Sequence, residues 1–440
     1  MDYWEATVRF FSLTDGNVRF VLAGSVLLGI AGGVIGTFAF LQRKALVGDA
    51  LAHAALPGVC LAFMLTGVKA PLSLLIGASL TGWLGALAVN WIIQRTNLSQ
   101  DTALGLTLSV FFGIGVTLLT LIQRTDSGNQ SGLDKFIFGQ AAALSPRDVL
   151  TTGVVALVIL FVTGLLFKEF KMLTFDPLFT TSAGRSASAL QFTLTALIVV
   201  TVTVGLQTVG VALMAALLVT PAAAARQWTN SLSRMLILSG AIGALSGIVG
   251  AYISFLAPRL PTGPWVVITA GLIFLISLLA APERGLVAQW LRRRSAERRV
   301  VRDHLLKAFY HLRDSTSREP GTLTFAEIVS QSRLDPRIAE RGMKALKGDN
   351  LAAKSELGWA LTTPGLATSA RVVRLHRLWE VYLQKYLSLP SDHVHRDADE
   401  LEHLITPEME ASLEDALNRP ELDPHNSPIP YPEKSKRTKV

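Results

Sequence analysis

One cysteine, Cys60, occurs in 440 residues. It lies in an apolar run, so an intrachain disulfide and a zinc site built on paired thiolates are both excluded. Histidine is scarce in the first part of the chain: of eight, only His53 falls among the first 300 residues. No GxxxxGK[ST] loop occurs, so the chain lacks that cradle for a nucleotide phosphate. The opening MDYWEATVRFF has neither the basic n-region nor the small-residue cleavage site of a removed signal peptide, and the first apolar run should stay as an anchor. Charge is also thin at the start. Only 25 Asp, Glu, Lys and Arg fall in the first 282 residues, against 49 in the last 158.

What fills the charge-poor part is a succession of apolar runs, for example residues 20–42, 71–93, 103–122, 150–167, 236–256 and 265–279. Each is near the ~20 residues that cross ~30 Å of hydrocarbon as a helix. The remainder has the charge density of a water-soluble domain and enough length for its own core. The expected fold is therefore an all-α polytopic membrane protein of eight or nine spans, followed by a separate soluble domain. The net charge of +8 reads as a topology signal, because loops carrying Lys and Arg stay cytoplasmic. It does not require a nucleic-acid partner.

One threading satisfies nearly all the basic residues. It places the amino terminus outside and Arg43, Lys44, Arg95, Lys168, Lys171, Arg185, Arg226, Arg234, Arg284 and Arg292 to Arg294 inside. It requires residues 190–225 to cross twice, turning near Gly205 and Gly210. The alternative treats that stretch as one long helix and gives eight spans. Glycine-rich helices at 29–36 and 240–250 supply small faces for close packing.

Asp49 and His53 stand out inside LVGDALAHAALPGVCLAFML. Their i, i+4 spacing puts both side chains on one helical face. Ionisable groups inside a bilayer usually face a cavity, pair with each other or bind an ion. A carboxylate with an imidazole suits Mn, Fe or Zn. Pro57 weakens the helix nearby. The plain alternative is that Asp49 caps the helix and His53 merely bonds to it.

At this motif, GDALAHAALPG at 48–58, the chain resembles the permease family of zinc, manganese and iron importers of the ATP-binding cassette type. Further likeness runs in order through DTALG at 101–105, LDKFIFGQ at 133–140, FDPLF at 175–179 and VGVALMAALLVTPAAAAR ending at Arg226. The resemblance covers about residues 20–285. It implies a homo- or heterodimeric permease with a second permease subunit. Metal would come from a separate extracytoplasmic binding protein and energy from a separate ATP-binding subunit. It also implies a metal site in the translocation path at Asp49 and His53. The segment from Pro221 through Arg226 to Arg234 resembles the part that docks on the ATPase, unless it is a plain loop.

The tail opens with a basic run, LRRRSAERR at 291–299, suited to anionic lipid. Amphipathic helices are expected near 301–313, 325–330 and 336–347, then a hairpin in LAAKSELGWALTT at 351–363. That order reads as a winged helix. Arg337, Arg341, Lys344 and Lys347 on its third helix could meet DNA phosphates or bases, or form a solvated face of a protein-interaction module. Beyond it, a helix at 366–387 presents His376 and Glu380 at i, i+4. A second helix presents His395, Asp399, Glu402 and His403, which at about 100° per residue fall at about 0°, 40°, −20° and 80°. Together such faces could make N/O metal sites.

This region resembles the metal-dependent repressors of iron and manganese uptake, through LHRLWEVYL at 375–383, VHRDADELEHLITPEME at 394–410 and DPHNSPIP at 423–430. The resemblance implies one site from His376, Glu380 and His395, and another from Asp399, Glu402 and His403. His304 would be a further ligand. Asp399 replaces the cysteine of iron-type members and tilts the site towards manganese, whereas Lys307 stands where manganese-type members carry a glutamate. The expected domains are 1–285, 286–365, 366–418 and a flexible tail from 419. Three functions stay open: a metal permease with a sensing tail, a permease whose tail regulates transcription, and a receptor or scaffold that does not transport.

Overall fold

The structure is a computed structural model that describes residues 3–44, 46–68, 70–124, 145–256, 260–316, 322–387 and 407–432. It forms two compact units, Met1–Gln289 and Trp290–Val440.

The first unit runs α1 (Tyr3–Phe11), α2 (Gly16–Leu41), α3 (Val47–Thr66), α4 (Pro71–Arg95), α5 (Gln100–Gln123), α6 (Pro146–Leu165), the short α7 (Phe167–Phe175) and α8 (Pro177–Ser182), α9 (Ala187–Thr208), α10 (Val211–Trp228), α11 (Leu232–Leu256) and α12 (Thr262–Ala280). Among the described residues, α2 to α6, α9, α11 and α12 are long and apolar enough to cross a membrane. Residues 190–225 do not form one helix. The chain breaks at Val209 and Gly210, where Gly210 adopts φ +90°, a conformation strained for any residue with a Cβ. Gly205 then lies against the side chain of Met214 across the break.

Helices α2 and α3 are the most enclosed spans. α2 and α11 approach closely along the glycine faces expected from the sequence. A Cβ on Gly29 would stand 2.2 Å from the Gly243 carbonyl oxygen. Ser239 donates to the Gly33 carbonyl at 2.6 Å. With no hydrophobic drive between helices in lipid, such close backbone contact and shared hydrogen bonds hold a bundle together. Polar side chains within it mostly turn back on their own helix. Thr37, Thr201 and Thr203 each donate to the carbonyl four residues earlier.

The second unit contains most of α13 (Leu286–Thr316), with α14 (Phe325–Ser332), α15 (Pro336–Gly348), β1 (Ala352–Ser355), β2 (Gly358–Leu361), α16 (Thr363–Leu387) and α17 (Pro407–Ala416). The basic run 291–299 is part of α13. Thr324 and Glu327 form a capping box for α14, and Asp335 with Pro336 starts α15. β1 and β2 pair antiparallel, Ser355 opposite Gly358, and Leu323 bonds to Trp359 on the outer side of β2. Leu305, Phe309, Ile328, Met343, Leu346 and Trp359 close one core beneath them. The helices and hairpin are those of a winged helix.

A second core joins Leu378 of α16 to Leu413, Leu417 and Ile429. The stretch expected to be flexible from 419 is therefore folded as far as it is described, to Pro432. Arg377 donates to the Pro428 carbonyl, Ile429 N–H to Glu421 O at 2.9 Å, and Tyr431 O–H to Pro420 O at 3.0 Å. Its proline-rich composition hid a single buried apolar anchor, Ile429.

Candidate metal sites

Asp49 and His53 stand on α3, one turn apart as their spacing requires. His53 Nε2 is 3.5 Å from Asp49 Oδ1, and the two side chains are 17% and 33% exposed. Asp49 lies in the first helical turn, but the cap position is Leu46 and no side chain caps it, so Asp49 is not the N-cap. His53 Nδ1 is buried without a hydrogen-bond partner, and the ring meets Phe112 of α5 edge-on at 4.7 Å. Donors 3.5 Å apart can share one ion at about 2.1 Å from each. The spacing leaves room for one shared ion, and the orphan Nδ1 is a buried polar atom that the described chain leaves unsatisfied.

Pro57 has no N–H to donate to the His53 carbonyl, so the helical ladder is cut at this residue. Thr81 of α4 covers the next position: its hydroxyl accepts from Gly58 N–H at 3.1 Å. Phe112 and Thr81 were not singled out in the sequence. A lone threonine or phenylalanine in an apolar helix carries no local sign of such a role.

In the segment expected to meet an ATPase, Pro221 is buried inside α10, Arg226 is half-buried and Arg234 is exposed at the start of α11. Asn230, in the loop between them, donates to Glu283 at 2.8 Å and accepts from Arg284. That ties the loop to the segment after α12.

In the tail, His376 and Glu380 pair on α16, with His376 Nε2 3.1 Å from Glu380 Oε1. Lys307 of α13 reaches them: its Nζ lies 3.0 Å from His376 Nδ1. An ammonium only donates, so Nδ1 accepts and Nε2 carries the proton towards Glu380. Both ring nitrogens are committed. His304 is half-buried on α13, one turn before Lys307. Among the described residues no group of three or more His, Cys, Asp and Glu could hold a metal. The described donors therefore do not fit a metal ion at His376 and Glu380. His395, Asp399, Glu402 and His403 lie outside the described residues.

Around this pair the tail is dense in ion pairs. Arg371 and Arg374 both bond Glu410, Arg374 Nε stands 3.1 Å from Glu414, and Arg377 Nε stands 3.4 Å from Asp423. Burial pushes the Glu410 carboxyl up, but hydrogen bonds from Arg371 and Arg374 outweigh it and hold the group below its ordinary value. Burial, with Arg377, Lys307 and His376 nearby, holds His311 below its ordinary value. On α15, Arg337, Arg341, Lys344 and Lys347 are all exposed, and Lys344 pairs with Glu340 at 2.8 Å.

The membrane unit also matches known proteins. The model of the ABC 3 transport family fits residues 15–281. The chain belongs to the ABC 3 transport family. A second family model, the iron dependent repressor metal binding and dimerisation domain, fits residues 362–431. The manganese transport system membrane protein MntC of Bacillus subtilis is 40% identical over 89% of this chain and 90% of its own length. The zinc transport system membrane protein TroC of Treponema pallidum is 45% identical over 66% of this chain and 97% of its own length. The solved structure of PsaBC from Streptococcus pneumoniae in complex with Fab matches with a TM-score of 0.58 and 30% identity, over 66% of this chain and 99% of that one. As an ABC 3 family member with, among the described residues, eight helices long and apolar enough to cross a membrane, the chain is a multi-pass membrane protein of a transport permease family.

Proposed function

We propose that this chain is the membrane-spanning subunit of an ATP-driven importer of a divalent transition metal, with manganese preferred over iron and zinc. The observation that carries the reading is the Asp49–His53 pair on an enclosed helix of an ABC 3 bundle, with an imidazole nitrogen buried and unpartnered. A carboxylate and an imidazole are the donor set such ions accept. A separate ATP-binding subunit docks near Arg234 and the loop before it, with Arg226 behind. A separate extracytoplasmic protein delivers the metal, and a second permease subunit, self or sibling, completes the path. The tail faces the cytoplasm, where His395, Asp399, Glu402 and His403 sense imported metal. The MntC and TroC relatives, named for manganese and zinc transport, support this choice of cargo.

The test is accumulation of Mn, Fe and Zn in cells carrying the chain with its partners. Asp49→Ala should abolish accumulation of the transported metal while the protein remains in the membrane. Unchanged accumulation would leave only the receptor or scaffold reading.

A second reading of the tail rests on the exposed basic face of α15, Arg337, Arg341, Lys344 and Lys347, presented by a winged helix. In it, the tail binds DNA when metal is present. The full chain in lipid nanodiscs should then retard DNA from its own upstream region, and Arg341→Ala should weaken that binding. Absence of retardation with and without Mn2+ sinks this reading.

A further inference from the structure

We infer that the Lys307 ammonium takes the place of a divalent cation at the His376–Glu380 pair, so that this part of the tail is closed by the chain itself and needs no metal. Lys307, His376 and Glu380 are 8%, 4% and 2% exposed. A buried ionised group must be paired and hydrogen-bonded, and here a positive and a negative group face each other across one imidazole.

The imidazole has a single lone pair, and it decides between the two cations. With Nδ1 accepting from Lys307, that lone pair is used and Nε2 bears the proton directed at Glu380. A metal bound at Nδ1 would lie about 2.1 Å along the same lone pair, while the ammonium nitrogen already sits at 3.0 Å. The two cannot share the nitrogen. Binding at Nε2 instead would move the ring proton to Nδ1, where it would point at an ammonium that can only donate. Either way metal could enter only by expelling a buried cation that carries its own charge balance.

The link is also structural, because Lys307 lies on α13 and His376 on α16. A second contact between the same helices, the Arg377 guanidinium 5.7 Å from the Tyr310 ring centre, joins them without a metal. This proposal goes beyond the transport reading and does not depend on it.

The test uses the full chain in nanodiscs, with bound Mn2+ counted per chain by electron paramagnetic resonance. On an Asp49→Ala background, which removes the membrane pair, His376→Ala should bind as many Mn2+ ions as its parent. Lys307→Glu should gain one ion, and adding His376→Ala should remove it again. If His376→Ala lowers the count in the chain with Lys307 intact, the proposal is overturned; a Lys307→Glu chain that gains no ion overturns it as well. Hydrogen exchange gives a readout without substitution at the site. Stripping metal with EDTA should leave protection in residues 301–313 and 372–380 within about twofold of its value in Mn2+. A tenfold or larger rise in exchange there would overturn the proposal independently of the variants.

Discussion

The two units handle buried polar groups in opposite ways. In the membrane unit, threonines bond back to their own helix and glycines let backbones touch, so very few charges need partners. In the tail, three arginines spaced along α16 meet carboxylates from α17 and from Asp423. The one ionisable His–Asp pair described on a membrane helix, Asp49 and His53, keeps an imidazole nitrogen unpartnered. The corresponding His and Glu in the tail are closed by a lysine. Similar residues are thus treated differently in the two solvents: on the membrane helix the pair keeps an unpartnered nitrogen, whereas in the tail a similar pair has been completed from within.

The largest effect that can break this comparison is at the centre of the tail network. Arg374→Met removes one of two arginine partners from each of Glu410, which keeps Arg371, and Glu414, which keeps Arg419, at a cost of up to about 3 kcal/mol. Thermal unfolding of the full chain, followed by limited proteolysis, should show the tail released early and residues 16–280 still protected. Simultaneous loss of both units would contradict their independence.

Acid should separate the units by a smaller amount. The folded tail holds His311 below its usual 6.5, so the unfolded chain takes up that proton first, and stability falls as pH drops below 6.5. Glu410 is held below its usual 4.5. Its contribution is complete above 4.5 and is lost as pH falls through its folded value. Hydrogen exchange in α16 and α17, followed from pH 7.5 to 4, should rise in two stages, and His311→Gln should remove the first.

The smallest effect tests the membrane side. Thr81→Val removes the acceptor for Gly58 N–H beside Pro57 and should cost about 1 kcal/mol. It should reduce metal accumulation without altering the tail's melting. Thr163, a buried threonine whose hydroxyl has no hydrogen-bond partner, is the control: Thr163→Val should change neither.

Much of this was legible in the sequence because the signals were local. Apolar runs gave the spans, paired glycines marked the break at Gly210, and an i, i+4 spacing put Asp49 beside His53. The winged helix showed through its order of amphipathic helices and hairpin. What escaped depends on contacts between elements far apart in the chain. Lys307 could be placed one turn from His304, yet nothing in the α13 sequence says that it points at His376. Thr81 reads as an ordinary helical threonine until α4 is laid against the Pro57 gap. Pro428 and Pro430 suggested flexibility because composition does not reveal that their carbonyls accept from Arg377 and Arg374.

That last feature bears on how the protein is made. The arginines of α16 are completed by residues 410–430, and the membrane unit is finished some way upstream of them. During synthesis the spans can insert and pack while the tail still waits for Asp423 and Ile429 to leave the ribosome. A message truncated before residue 423 would yield an assembled membrane bundle carrying an unclosed domain with buried arginines exposed, which is the kind of surface that quality-control proteases recognise.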